Sequence, residues 1–255
     1  MARIFITGST DGLGLANART LIDAGHEVLL HARTRERASA LDDLAPRAAG
    51  IVIGDLSSTT ETRDLAEQVN GHGRMDAIIH NAGVYLSPQR IETRDGCSRT
   101  LAVNVLAPYL LTALIERPNR LIYVTSGMHH NATADLKDIN WTRRRWDASD
   151  AYSESKLYVS ALSASVARHW PSVLSNSVDP GWVPTKMGGP YAPDDLDLGH
   201  DTQSWLAGSD DPAALVSGGY WHHRRQQEPR PEVTDPDFQD RLTATLAGLT
   251  GITLF

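Results

Sequence analysis

The sequence predicts a doubly wound α/β fold, with one domain over residues 1–255, a parallel sheet of about seven strands, and helices on both faces. Three observations predict it. Short apolar runs are continuous rather than alternating, the pattern of strands covered on both faces. Amphipathic stretches of helical length separate them, and the alternation repeats five times, which implies right-handed crossovers between parallel strands. The chain has 255 residues, 41% of them hydrophobic, enough for a sizeable core, and α/β folds of this size are often single domains.

Strands are read at Ile4-Phe5-Ile6, Val28-Leu29-Leu30, Ile51-Val52-Ile53, Ile78-Ile79, Leu121 to Val124, and Val173-Leu174 with Val178, with a last apolar piece from Val216 to Trp221. Helices are expected at about 12–24, 35–45, 60–70, 94–115 and 152–169. The fourth carries Leu101, Val105, Leu106, Tyr109, Leu110 and Ala113 on one face, the spacing of a buried helical stripe. Beyond residue 180 the pattern changes, because seven of the thirteen prolines fall between 180 and 234. A loop-rich stretch is expected at about 183–215, relieved by a short helix near 201–208. A final helix is expected at about 236–250, with Thr234 or Asp235 as cap, Pro236 in its first turn and Gly251 near its end.

Charge and cysteine content narrow the function. With 24 Lys plus Arg against 31 Asp plus Glu, the net charge is −7, and no whole-protein positive field draws the chain to nucleic acid. Cys97 is the single cysteine, so no internal disulfide and no thiolate zinc site is possible, which suits a reducing cytoplasm. No apolar run approaches the roughly 20 residues of a membrane span. The glycine-rich start leaves no room for a signal peptide's apolar segment. The pairs His129-His130 and His222-His223 lack the i, i+4 spacing of a helical metal site and read as surface residues; no metal is expected. Arg143 to Arg145 read as a solvated face.

The first strand runs directly into Thr7-Gly8-Ser9-Thr10-Asp11-Gly12-Leu13-Gly14 and then a helix. Glycines here permit a tight turn and let backbone N–H groups approach a pyrophosphate at the helix N-terminus. That is the arrangement of a Rossmann-type dinucleotide-binding fold, here with the spacing G-x-x-x-G-x-G. In such folds a carboxylate about 20 residues beyond the loop selects NAD by binding the ribose 2′-OH. This chain has Arg33 in that neighbourhood, and a guanidinium suits a 2′-phosphate instead. NADP(H) is therefore preferred over NAD(H). Arg35 reads as a solvated residue at a helix start, and Arg37 fits either role.

Tyr152 and Lys156 stand four apart, on one face of the helix expected there. A neutral phenol with a pKa near 10 is a poor acid or base at neutral pH, and an adjacent ammonium lowers that pKa. Ser126 follows the strand Leu121 to Val124, at the carboxyl edge where parallel sheets place their ligands.

In these motifs, taken in order, the chain resembles the short-chain dehydrogenases/reductases, over nearly its whole length. Thr7 to Gly14 resembles the family's glycine loop, in which Gly8, Thr10, Asp11, Gly12, Leu13 and Gly14 would contact the cofactor. Asp55 and Leu56 stand where the family contacts adenine, and Asn81-Ala82-Gly83 where it lines the cofactor cleft. Asn104, Ser126, Tyr152 and Lys156 correspond to its catalytic tetrad. Pro180, Gly181, Val183 and Thr185 correspond to the segment that holds the nicotinamide carboxamide. The resemblance implies reduction of a ketone or aldehyde, with Tyr152 as proton donor, Ser126 fixing the carbonyl oxygen, Lys156 binding the nicotinamide ribose, and Asn104 holding a water. An NAD-linked alcohol dehydrogenase and a non-catalytic NADP-binding regulator are the alternatives.

Two departures stand out. Ser126 and Tyr152 are 26 positions apart, so an insertion is expected at about 129–150. It resembles those of the retinol-dehydrogenase-like and carbonyl-reductase-like branches, where it shapes the substrate mouth and obstructs a subunit contact. Homodimer, homotetramer and monomer all stay open. Asp11 occupies a loop position where many NADP-using relatives carry a basic residue. Trp182, Tyr191, Trp205 and Tyr85 are candidates for aromatic walls around an apolar or aromatic carbonyl or alcohol substrate. The run Asp194-Asp195-Leu196-Asp197 disfavours an anionic substrate if it lines the mouth.

Overall fold

The computed structural model describes residues 1–85 and 87–255. Its strands are β1 (Arg3–Ile6), β2 (Glu27–Ala32), β3 (Gly50–Ile53), β4 (Ala77–His80), β5 (Arg120–Val124), β6 (Leu174–Asp179), β7 (Tyr220–His222) and β8 (Arg225–Gln227). They form one sheet in the order β3-β2-β1-β4-β5-β6-β7-β8. All neighbours are parallel except β7 and β8. The order reverses between β1 and β4, and the carboxyl edge at such a switch point opens into a crevice.

The eighth strand exceeds the expected seven for a local reason. His222 pairs with Arg225 across the two-residue turn His223-Arg224, and both turn residues have positive φ, 47° and 57°. Hairpins of this kind are usually signalled by Asn-Gly or Asp-Gly; here no such signal exists.

The principal helices are α1 (Gly12–Asp23), α2 (Thr59–Gly71), α3 (Arg99–Leu101, continued by a π-helical turn Ala102–Leu106 and by Ala107–Leu114), α4 (Ala148–His169), α5 (Leu196–Gly208) and α6 (Pro236–Thr250). Four boundaries differ from expectation. The stretch 35–45 yields only Arg35–Ala38 and a short turn at Ser39–Leu41, because Asp42-Asp43 and Pro46 offer it no apolar stripe to bury. Helix α3 starts at Arg99 rather than 94, after a turn at Gly96 (φ 77°), where Ser98 Oγ accepts from Leu101 N. Helix α4 starts at Ala148 because Asp147 caps it, and α5 starts at Leu196 because Asp195 caps it. Part of the acidic run is thus a helix cap, and about half of the expected loop 183–215 is ordered structure.

Two apolar layers flank the sheet. One holds the buried faces of α2, α3, α4 and α6. The other lies beneath α1 and α5, and includes Trp205 packed edge-on against Trp221 at 5.5 Å. Trp205 therefore belongs to the core and not to a substrate wall. Among the described residues, no helix is long and apolar enough to cross a membrane.

His80, at the end of β4, stacks on Tyr123 at 4.7 Å and meets Thr112 Oγ1 at 3.2 Å. Complete burial pulls its pKa down from 6.5 to about 3. The unfolded chain therefore binds one proton more than the fold between those values, and stability is lost as pH falls below about 6.5. Thermal unfolding is expected to show this loss at about 1 kcal/mol per pH unit from His80. The variant His80→Phe, which keeps the stack, should flatten that slope by one proton.

Candidate active site

The cleft is built on the carboxyl ends of β1, β2, β4, β5 and β6 and encloses about 860 Å³. Of the residues expected to bind cofactor or to act in catalysis, all but Asn104 line it, as do Tyr85 and Trp182 of the four aromatic candidates for the substrate wall.

At one end lies the glycine loop. Gly8 and Gly12 have φ of 69° and 53°, a region that favours glycine. A Cβ on Gly14 would lie 2.1 Å from Gly8 O and 2.5 Å from Asn81 Nδ2, so only glycine fits. Asn81 Nδ2 donates to the carbonyls of Thr7 and Gly8 at 2.9 and 3.2 Å, and Thr7 Oγ1 accepts from Ala82 N. The end of β4 thereby fixes the loop that leaves β1. His31, which the sequence did not single out, completes the support: its Nδ1 accepts from Gly8 N at 2.9 Å and its Nε2 donates to Gly54 O at 2.8 Å. Burial lowers its pKa, which keeps the imidazole neutral for that pairing. A histidine inside an apolar strand carries no pattern, so no sequence signal marked it.

Helix α1 opens onto this loop with no side-chain cap. Helices α2, α4, α5 and α6 are capped by Ser58, Asp147, Asp195 and Asp235. Uncapped N–H groups with the positive end of the helix dipole suit an anion. The glycine cradle and this bare terminus together fit a dinucleotide pyrophosphate. Arg33 lines the same cleft, exposed, and Asp55 and Leu56 line it beyond β3.

At the other end Ser126, Tyr152 and Lys156 converge. Ser126 follows β5 in extended conformation, and its hydroxyl accepts from Met128 N at 3.3 Å. Tyr152 and Lys156 come from the first turns of α4, both nearly buried. Lys156 Nζ lies 5.5 Å from the Tyr152 ring centre and donates to Val124 O at 2.8 Å. Tyr85 meets the Tyr152 ring edge-on at 4.5 Å. Burial raises the Tyr152 pKa, with Ser126 opposing through a hydrogen bond. Burial also pulls Lys156 down to about 8, with Asp179 opposing. This corrects the expectation that the ammonium depresses the phenol: Lys156 is directed at Val124 O, and desolvation of the ring prevails.

Asn104 stands behind the cleft wall in the π-helical turn of α3. Its Oδ1 accepts from Val84 N at 2.8 Å, and its Nδ2 donates to Val84 O and Ser155 Oγ. A Cβ on Gly83 would lie 3.5 Å from Asn104 Oδ1 and 3.6 Å from Lys156 Nζ, so the amide and the ammonium share one corner. Pro108 has no N–H to return to the carbonyl four residues earlier, at Asn104.

The third wall follows β6. Pro180, Gly181, Val183 and Thr185 line it, with Trp182, Lys186 and Met187. Asp194 Oδ2 accepts from Trp182 N at 2.5 Å and lies against Gly181. Thr185 faces the glycine loop: a Cβ on Gly12 would lie 3.3 Å from its Cγ2. Tyr191 is 90% exposed and does not line the cleft. Asp179, missed by sequence reading, points a carboxylate into this end and accepts from Gly181 N and the Tyr220 hydroxyl.

The insertion at 129–150 is tied to α4 rather than loose. Asp138 accepts from the N–H groups of Thr142, Arg143 and Arg144. Arg144 forms a fork on buried Glu154 at 2.7 and 2.5 Å, and Trp141 Nε1 adds a third bond to it at 2.9 Å. Arg144 is thus a structural ion pair and not a solvated residue. His129 is fully buried, between Ser126 O and Arg230 N, which corrects its reading as a surface residue. Among the described residues no cluster of three potential metal ligands occurs.

Comparison with known proteins agrees with this architecture. The family profile described as short chain dehydrogenase matches residues 2–134. The short-chain dehydrogenase chyC of Penicillium rubens is 45% identical, covering 100% of this chain and 99% of its own length. Human retinol dehydrogenase 13 is 28% identical, over 98% of this chain and 84% of that protein. A blue fluorescent protein from a metagenomic library, solved in complex with NADPH, superposes with a TM-score of 0.69 at 22% identity, covering 87% of this chain and 95% of that one. The chain belongs to the short-chain dehydrogenase/reductase family, oxidoreductases that interconvert CH–OH and C=O groups with a nicotinamide dinucleotide.

Proposed function

We propose that this protein is an NADPH-dependent reductase of ketones or aldehydes carried on apolar or aromatic small molecules. The observation that carries the reading is the pairing, in one cleft, of the uncapped glycine-loop helix with the converging Ser126, Tyr152 and Lys156. The N–H groups at the start of α1 would hold the pyrophosphate, Arg33 the 2′-phosphate, Asp55 and Leu56 the adenine, and Val183 and Thr185 the carboxamide. When bound, the nicotinamide supplies hydride to the carbonyl carbon. Tyr152 gives its hydroxyl proton to the carbonyl oxygen, which Ser126 Oγ fixes by donating a hydrogen bond. Burial of the ring raises the Tyr152 pKa and works against donation, and the hydrogen bond from Ser126 opposes that shift. Lys156 holds the nicotinamide ribose and, with Asn104, returns a proton to Tyr152 after transfer.

Tyr85, Met128, Trp182 and Met187 line the substrate end, and their apolar surface supports an apolar or aromatic substrate. Kinship with a retinol dehydrogenase points the same way. A single buried thiol, Cys97, supports a reducing cytoplasm. One observation favours a second reading, NAD-linked oxidation of an alcohol: the Asp11 carboxylate in the glycine loop pairs with Arg37, which follows β2. Comparing the KM for NADPH and NADH over a panel of ketones and aldehydes tests both. A clear NADH preference contradicts the first reading.

Helix α4 is covered along its length by the insertion, the Pro231–Thr234 turn and α6. We infer a monomer. Light scattering should give about 27.8 kDa, and a mass of twice that or more contradicts it.

A further inference from the structure

Asp11 stands at the N-cap of α1 with the extended backbone of a capping residue, φ −162° and ψ 178°, yet caps nothing. Aspartate is among the best capping residues, and Asp147, Asp195 and Asp235 do cap their helices. The Asp11 carboxylate is turned away to two cations, of which Lys186 lines the cleft. Its Oδ2 lies 2.8 Å from Arg37 Nη2, which follows β2, and 3.3 Å from Lys186 Nζ, which follows β6. Arg37 also donates to Thr10 Oγ1 at 3.2 Å, so its guanidinium is held against two glycine-loop residues, Thr10 and Asp11, that line the cleft.

We propose that Asp11 is a specificity residue that competes with the cofactor's 2′-phosphate for Arg37, and so narrows the preference for NADPH over NADH. The inference rests on NADP(H) lying in the cleft as proposed above. The exchange costs little. Asp11 and Arg37 are 44% and 40% exposed, and an exposed ion pair contributes little stability. A phosphate carries more charge and accepts two N–H bonds from one guanidinium. When Arg37 leaves, Lys186 still neutralises Asp11. NADH has a 2′-hydroxyl at this place, with no charge to compete, so it leaves the pair undisturbed.

The test is fluorescence titration of the full-length protein with NADPH and with NADH. It uses wild type, Asp11→Asn, Arg37→Gln and the double variant, each checked for folding by circular dichroism. Asp11→Asn should tighten NADPH by about 5-fold and move NADH by less than about 2-fold. Arg37→Gln should weaken NADPH selectively, and the gain from Asp11→Asn should vanish in the double variant. NADPH binding that ignores Asp11, or a gain that survives without Arg37, overturns the proposal alone. Failure of all four proteins to bind NADPH overturns the cofactor reading, and this proposal with it.

Discussion

Replacing Tyr152 by Phe should lower kcat/KM for carbonyl reduction by about 1,000-fold or more, with the Kd for NADPH changed by less than about 2-fold. The substitution removes one oxygen and keeps the ring. Tyr152 is nearly buried and packs edge-on against Tyr85, so Phe occupies the same space and the wall of the cleft stays in place. What disappears is the proton delivered to the carbonyl oxygen and the hydroxyl paired with Ser126. Steady-state kinetics with a reducible ketone, beside a fluorescence titration of NADPH, separates the two effects. A loss of binding in step with the loss of turnover would mean that Tyr152 is structural.

Gly14→Ala is expected to weaken dinucleotide binding by about 100-fold and to cost about 1–3 kcal/mol of stability. The new methyl group would meet Gly8 O at 2.1 Å and Asn81 Nδ2 at 2.5 Å. Both neighbours are held: Asn81 bridges two carbonyls, and Gly8 N–H is bound to His31. The loop must therefore open, and the N–H groups of α1 lose their common direction. Gly71→Ala is the control, since a Cβ there has nothing within 4 Å. Urea unfolding and NADPH titration of both variants check the pair; equal behaviour of the two would contradict the cradle described above.

Most of the frame was legible in the sequence because apolar runs and glycine spacing report directly on buried strands and backbone geometry. The six strands β1 to β6, the loop from Gly8 to Gly14 and the pair Tyr152–Lys156 follow from those patterns. What escaped depends on contacts between distant segments. His31 lies inside an apolar strand and matters because of Gly8 and Gly54. Arg144 looked like part of a solvated basic run until Glu154, buried on α4, gave it a partner. Trp205 lay on the short helix expected near 201–208 and read as a substrate wall, but that helix starts at Leu196, capped by Asp195, and its indole packs into the core. The expected acidification of Tyr152 by Lys156 rested on helical spacing alone, and the ammonium's bond to Val124 O redirects it. The hairpin to β8 has left-handed residues at His223 and Arg224 without glycine or asparagine, a turn that local sequence does not announce.

The most direct test of the central claim is transfer of deuterium from nicotinamide-deuterated NADPH to a ketone, read by mass spectrometry of the alcohol formed. The account predicts one deuterium on the carbinol carbon with wild type, and none above background with Tyr152→Phe. Binding of NADPH without deuterated alcohol from any member of a broad ketone and aldehyde panel would contradict it, and would make the protein a dinucleotide-binding regulator instead of a reductase.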